Sequence, residues 1–323
     1  MSDRITLEAK VPNEMGQKRL DQIASLLFPD YSRSRLQAWI KSGELTVDGQ
    51  SGKAKDKLIG GELLAIDTEL EPEGEWLPED IPLDVVYEDE QIIVLNKPAD
   101  LVVHPAAGNP SGTLLNGLLH RYPDLVQIPR AGIVHRLDKD TTGLMVVART
   151  LEAQNSLVQQ LQGRTMGREY EAICMGVMTG GGVVDEPIGR HPSHRTKMAV
   201  HPMGKEATTH YRVVQRFRHH THVRLKLETG RTHQIRVHMA YIQYPLVGDQ
   251  LYAGRFRLPR KIDLDLQDHL KQFKRQALHA KALQLTHPVT EKQLNWEVDL
   301  PTDFSQLLSV LDQDNQRYGE LLD

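Results

Sequence analysis

The stretch GIVHRLDKDTTGLMVVAR, Gly132 to Arg149, sets an aspartate, Asp138, between two apolar runs. Ile133-Val134 precede it and Leu144-Met145-Val146-Val147 follow it, and runs of this kind mark buried strands. A carboxylate between them costs free energy unless a cation or a hydrogen-bond donor supports it. His135, Arg136, Lys139 and Asp140 crowd it in sequence. Two readings follow. Asp-Lys-Asp-Thr-Thr-Gly is rich in turn residues, and Gly143 suits φ > 0, so the stretch can be a charged hairpin. Alternatively the aspartate is held in place for chemistry. The rest of the chain has to decide.

At 323 residues and 36.6 kDa the chain is long for one domain, and two are expected. A hydrophobic fraction of 39% and a mean hydropathy of −0.44 fit a soluble globular protein. The N-terminus, MSDRITLEAKVPNE, has no apolar core of a signal peptide, and no apolar run approaches a membrane span. Cys174 is the only cysteine, which excludes an internal disulfide and thiolate zinc sites and points to a reducing cytoplasm. The net charge of −4 conceals an uneven distribution. Residues 61–90 carry twelve Asp or Glu and no Lys or Arg, so the remainder of the chain stands at +8. From Arg164 to Arg236 there are thirteen Lys or Arg against six Asp or Glu. A basic body beside an acidic strap points to a polyanionic partner.

Three regions emerge. In RLDQIASLLFPDYSRSRLQAWIKSGELTVDGQ (Arg19–Gln50), Leu20, Ile23, Ala24 and Leu27 share one helical face, which Pro29 closes. Ser32 suits the cap of a second helix that buries Leu36, Trp39 and Ile40 and stops at Gly43. Arg33, Arg35 and Lys41 then point elsewhere, and an Asp48-Gly49 hairpin turn follows. Over residues 15–66 this pattern resembles the S4 RNA-binding domain, which implies that Arg33, Arg35 and Lys41 meet phosphates; domain one is set at 1–66. Residues 67–83, acidic and carrying Pro72, Pro78 and Pro82, read as a linker. Residues 84–323 mix strands and helices without regular βαβ alternation, so they predict an α+β domain on a mixed, largely antiparallel sheet. Helical patterns fall at Leu114–Leu119, Ala153–Leu161 and Phe304–Tyr318, and GVMTGGGVV reads as a hairpin turn.

The chemistry narrows by exclusion. RHHTH (Arg218–His222) puts His220 and His222 on one strand face with no carboxylate nearby in sequence, so it reads as a basic, RNA-facing strand rather than a metal site. There is no G-x-S-x-G and no Walker loop. In LETGRTHQIRVHMAYIQYPLVGD (Leu227–Asp249), Thr232 is the expected N-cap of a helix that buries Ile235 and Met239. Arg231 then sits at a helix N-terminus, where the macrodipole disfavours a cation unless an anion is also present. Asp138 needs a cation, and Arg231 needs an anion.

AGIVHRLDKDTTGLMVVA, REYEA, LETGRTHQIRVHM and IIVLNKPADLVVHP together resemble the pseudouridine synthases of the RluA family. With the S4-like front end, nearly the whole chain is similar to the branch of that family acting on the large ribosomal subunit. The resemblance implies a monomeric isomerase, free of cofactor and metal, that breaks the uridine N1–C1′ bond and rejoins uracil through C5. It implies large-subunit (23S) rRNA or the pre-ribosomal large subunit as partner, at uridines of the stem-loop at the subunit interface. By the same resemblance Asp138 is the essential aspartate and Arg231 the arginine that pairs with it. Tyr170 is the tyrosine that stacks on uracil, and Arg136 supports the flipped nucleotide. The rival reading is a non-catalytic RNA-binding ribosome-assembly factor.

Overall fold

The computed structural model describes residues 4–29, 31, 33–69, 76–105, 109–194, 196–255, 258–259 and 262–318. The chain divides into two compact units, Met1–Glu75 with Val126–Arg130, and Trp76–Leu125 with Ala131–Asp323. In the first, β1 (Arg4–Lys10), β2 (Leu45–Val47), β3 (Gln50–Ser51) and β4 (Leu63–Glu69) form an antiparallel sheet in the order β1-β4-β2-β3. Asp48 and Gly49 join β2 to β3 with φ values of 49° and 76°, the two positive angles of a type I′ turn. Helices α1 (Leu20–Leu27) and α2 (Arg33–Ser42) pack Leu20, Ile23, Leu36 and Ile40 into one core with Leu45, Leu64 and Ile66. Ser32, expected to cap α2, lies outside the described residues.

The stretch expected to be a linker is built into the fold at both ends. β4 takes in residues 67–69. Residues 76–83 belong to the second unit, where Asn116 Nδ2 donates to the Leu77 carbonyl at 2.8 Å and Glu79 N–H to the Asn116 carbonyl at 3.1 Å.

The second unit is built on a nine-stranded sheet. Its elements in chain order are β5 (Val85–Glu88), β6 (Ile92–Lys97), α3 (Leu114–Arg121), β7 (Thr142–Ala148), α4 (Leu151–Gln162), β8 (Gly167–Met175) and β9 (Gly182–Asp185). A short hairpin, β10 (Ile188–Arg190) and β11 (Met198–Val200), stands apart from the sheet. Then come β12 (Thr208–Arg216), β13 (His220–Leu227), α5 (Gln234–Tyr241), α6 (Leu264–Gln272), β14 (Leu278–Thr286), β15 (Gln293–Glu297) and α7 (Thr302–Tyr318). The order is β5-β6-β7-β14-β8-β13-β12-β9, with β15 also on β14. Only β7 and β14 run parallel, so the sheet is mixed and largely antiparallel, as the texture of the sequence predicts. α4 buries Ala153 and Leu157 with Val94, Val146 and Leu285, while α6 and α7 bury Leu266, Phe304 and Leu307 with Ile173 and Phe217.

Two expectations fail here. GVMTGGGVV does not turn a hairpin, because β9 pairs with β12 rather than with β8. The RHHTH strand does not face RNA: His220 and His222 are buried, and His222 Nε2 lies 2.8 Å from Glu171 Oε2. The missing carboxylate arrives from the neighbouring strand β8, which a sequence window cannot show.

The parallel pair fixes the loop that carries Asp138. Gly143 has φ +110°, and a Cβ there would stand 2.3 Å from the Ala280 carbonyl oxygen, so glycine is required for β7 to reach β14. Thr142 Oγ1 meets His279 Nδ1 at 2.8 Å, and Gln276 Nε2 donates to Thr141 Oγ1 at 2.9 Å. Behind the loop the buried Lys97 ammonium donates to the carbonyls of Pro98, Leu101 and Lys139 at 2.7, 3.0 and 2.8 Å. Burial pulls its pKa down to about 8, and three acceptors for three protons hold the charged form.

Candidate active site

Asp138 opens a turn in which Thr141 N–H donates to the Asp138 carbonyl at 3.0 Å. The charged-hairpin reading holds only in part: a turn is present, but Ile133 makes only a single bridge to Val147 and no strand. The Asp138 carboxylate lies at a cleft of about 580 Å³, lined by Arg136, Leu137, Tyr170, Arg231, His233 and Arg236 among others. Of the residues expected from sequence, Asp138, Arg136, Tyr170 and Arg231 therefore share one cavity.

The cation that supports Asp138 is not Arg231. Arg236 Nη1 donates to Asp138 Oδ2 at 2.8 Å, whereas Arg231 Nε donates to the Glu206 carbonyl at 2.8 Å. The physical reason is where the helix starts. Thr232 does not cap it; His233 does, in the left-handed region at φ 56° and ψ 23°, and α5 begins at Gln234. Its first turn carries Arg236 onto the aspartate. The macrodipole points to the right helix end, but a different arginine there meets the acid.

Arg236 is itself held from behind. Its Nε and Nη2 make a bidentate pair with Asp249 at 2.7 and 2.9 Å. Asp249 also accepts the Leu251 and Tyr252 N–H groups at 2.9 and 3.0 Å. Burial pushes the Asp249 carboxyl up, but Arg236 and these two donors outweigh it and hold it below the usual range. Burial likewise disfavours the Arg236 cation, and its two aspartates overcome that. Each of these buried charges has its partners, which is the condition under which such charges are tolerated. Asp138 Oδ1 is the open end: it accepts no hydrogen bond among the described residues, and His233 Nε2 stands 3.8 Å from it. One carboxylate oxygen is tied down, and the other faces the cleft.

Residues 91–241 match the family described as RNA pseudouridylate synthase. Ribosomal large subunit pseudouridine synthase D of Pseudomonas aeruginosa is 59% identical over 318 residues, covering 98% of this chain and 99% of the relative. The protein of that name from Yersinia pestis is 56% identical across 100% of both chains. The chain belongs to the RNA pseudouridylate synthase family. Among solved structures, Human RNA Pseudouridylate Synthase Domain Containing 4 superposes with a TM-score of 0.54 at 29% identity, over 71% of this chain and 93% of that one. In this pseudouridylate synthase the matched span takes in Asp138, Tyr170, His233 and Arg236, while Asp249 and Tyr252 lie beyond it.

Tyr170 sits on β8, 6% exposed, and lines the cleft. Burial raises the pKa of its phenol; Arg168 opposes this and Asp138 adds to it. The hydroxyl is therefore protonated at neutral pH. Arg136 is exposed at the cleft. Arg168 also lines it, with a buried Nε that has no partner among the described residues. His135 accepts the Val146 N–H on Nε2 at 3.1 Å, and burial drops its pKa to about 3, so it is a neutral structural ring.

The N-terminal arginines divide. Arg33, expected to meet phosphate, instead donates from Nη2 and Nε to Asp21 Oδ2 at 2.7 and 3.2 Å. Asp21, 0% exposed, also accepts from Arg19 and from Gln37 Nε2. Arg35 lies over the Trp39 ring at 5.8 Å, and Lys41 is exposed in the last turn of α2. The apolar stripe of α1 gives no sign of Asp21, which sits inside the helix as a buried acid.

Proposed function

We propose that this chain converts uridine to pseudouridine in large-subunit ribosomal RNA, with Asp138 as the residue that acts on the ribose. The observation that carries the reading is the half-committed carboxylate: Oδ2 bonded to Arg236 at 2.8 Å, Oδ1 open to an arginine-lined cleft. The relatives named for the large subunit supply the substrate class. Detaching uracil builds positive charge at the sugar, and an ionised carboxylate can bond to C1′ or take the C2′ proton. Either step uses the free oxygen. Uracil then turns, C5 bonds to C1′, and the C5 proton leaves as N1 gains one. The product is an isomer, so the reaction needs no redox cofactor.

The Tyr170 ring offers the stacking surface for the flipped base, and Arg136 and Arg168 offer donors to its backbone. The four-stranded antiparallel sheet with α1 and α2 supports an S4-like RNA-binding role for the N-terminal unit, with Arg35 and Lys41 meeting phosphates. The work belongs to the cytoplasm, on uridines of the subunit-interface stem-loop.

The test is release of tritium from large-subunit rRNA labelled at uridine C5, with the modified positions then mapped. Asp138→Asn should cut the rate by about 10³-fold or more while RNA affinity stays within a few-fold, because phosphate neutralisation supplies most of the binding. No release by the wild-type chain, together with tight binding, would favour the assembly-factor reading instead.

A further inference from the structure

The cleft leaves Asp138 Oδ1 with His233 Nε2 at 3.8 Å, and that ring has no part in the chemistry at C1′ or C5 described so far. We propose that His233 and Tyr252 are a positioning pair that keeps the imidazole proton on Nε2 and so presents a fixed N–H to the open oxygen of Asp138. The proposal rests on Asp138 being the reacting carboxylate.

Hydrogen bonding decides the tautomer. Tyr252 Oη accepts the Met198 N–H at 2.9 Å and stands 2.7 Å from His233 Nδ1. Its own hydroxyl proton has one acceptor in reach among the described residues, and that is Nδ1. A neutral imidazole that accepts on Nδ1 carries its proton on Nε2. The ring is neutral because burial lowers its pKa, with Arg236 and Arg136 acting the same way and Asp138 and Asp249 opposing. The opposite tautomer would aim a lone pair at a carboxylate.

The surroundings are built to hold this pair. His233 takes the left-handed φ of 56° at the helix cap and makes no side-chain cap bond, so its ring is free for the cleft. The Tyr252 ring stands edge-on to it with centroids 5.6 Å apart and also lies 5.1 Å from the Arg236 guanidinium. Tyr252 thus braces both partners of Asp138. It packs with Ile188, Met198 and Val237, which anchors the β10–β11 hairpin to α5. At 3.8 Å the N–H is just outside bonding range, and such separations tighten when substrate closes the site.

The experiment uses the full chain with ¹⁵N-labelled histidine. Long-range ¹⁵N–¹H spectra of the wild type, with the His233 signal assigned by its loss in His233→Gln, read which nitrogen is protonated. Single-turnover tritium release and RNA affinity are measured beside it. The wild type should show the Nε2–H form. Tyr252→Phe, which keeps the ring, should populate the Nδ1–H form and slow release about tenfold with affinity within about twofold. A glutamine amide reaches the place of Nε2 and an asparagine amide only that of Nδ1. His233→Gln should therefore retain about tenfold more rate than His233→Asn. A wild-type Nδ1–H signal, an unchanged tautomer and rate in Tyr252→Phe, or equal damage from Gln and Asn each overturns the pair. Absence of tritium release from the wild type would instead overturn the reading of Asp138, and the tautomer remains readable without it.

Discussion

Asp21 and Asp138 are both aspartates held by arginine, one in each unit, and they are held differently. Asp21 is fully buried, and Arg19, Arg33 and Gln37 use both of its oxygens. Asp138 keeps 18% of its side chain exposed and gives Arg236 a single oxygen. Arg236 in turn commits its other two donors to Asp249. In the first unit the acid is the hub and the bases surround it. In the second the base is the hub, and one of its two acids is left with an unused face. A saturated carboxylate organises a fold, and an unsaturated one is available for reaction.

The contrast should break most visibly at Arg236. Arg236→Met strands Asp249, whose side chain is fully buried, and frees Asp138 to swing. Stability to urea should fall by about 3–5 kcal/mol, the usual cost of removing one partner from a buried pair. Tritium release should fall about 10³-fold. Arg231→Met, at the rim, should cost about tenfold or less. Greater damage from Arg231 than from Arg236 would mean the two arginines exchange roles in the working enzyme.

At Asp21 the expected effect is on folding alone. Burial pushes its carboxyl up, yet bonds from Arg33, Gln37 and Arg19 outweigh that and hold it below its ordinary 3.8. A carboxylate with a depressed pKa adds stability that is complete above the unfolded value and fades as pH falls through the folded one. Asp21→Asn should therefore cost about 2 kcal/mol at about pH 7. The two stability curves should converge below pH 3.8. Turnover at saturating RNA should not change. A variant that folds as well as the wild type at neutral pH would show that the cluster is incidental.

The smallest effects belong to α2. Arg35→Ala and Lys41→Ala should each flatten the dependence of log affinity on log salt by about one, the change expected when one phosphate is no longer neutralised. Arg33→Ala, whose guanidinium serves Asp21, should lower stability and leave the slope alone. Equal slopes for all three variants would sink the division drawn between them.

Most of the fold was legible because period and punctuation are local. The Leu20–Leu27 stripe, the Gly43 stop and the Asp48-Gly49 turn all appear where their spacing puts them. The apolar frame singled Asp138 out for the same reason, although only the family resemblance gave it a role. Its partner was not legible. Choosing between Arg231 and Arg236 depends on whether the helix starts after Thr232 or after His233, and a left-handed histidine is no part of a capping pattern. Asp249 and Tyr252 were invisible for another reason: their partners lie 13 and 19 residues away, and only the packed chain brings them together. Glu171 beneath His222 and Asp21 beneath Arg33 follow the same rule. Sequence shows which side chains carry charge, and tertiary packing decides which charges are already matched.

The strap that fixes Asp138 also sets a clock. Thr142 waits for His279, 137 residues further along, and Gly143 for Ala280. At translation rates of about 5–20 residues per second, that gap lasts roughly 7 to 30 s. The N-terminal unit, whose last strand ends at Glu69, is synthesised long before it closes. A growing chain can therefore acquire its N-terminal sheet and helices while the carboxylate loop is still unpinned. The first core is born early, and the loop that carries Asp138 is fixed only after β14 has been made.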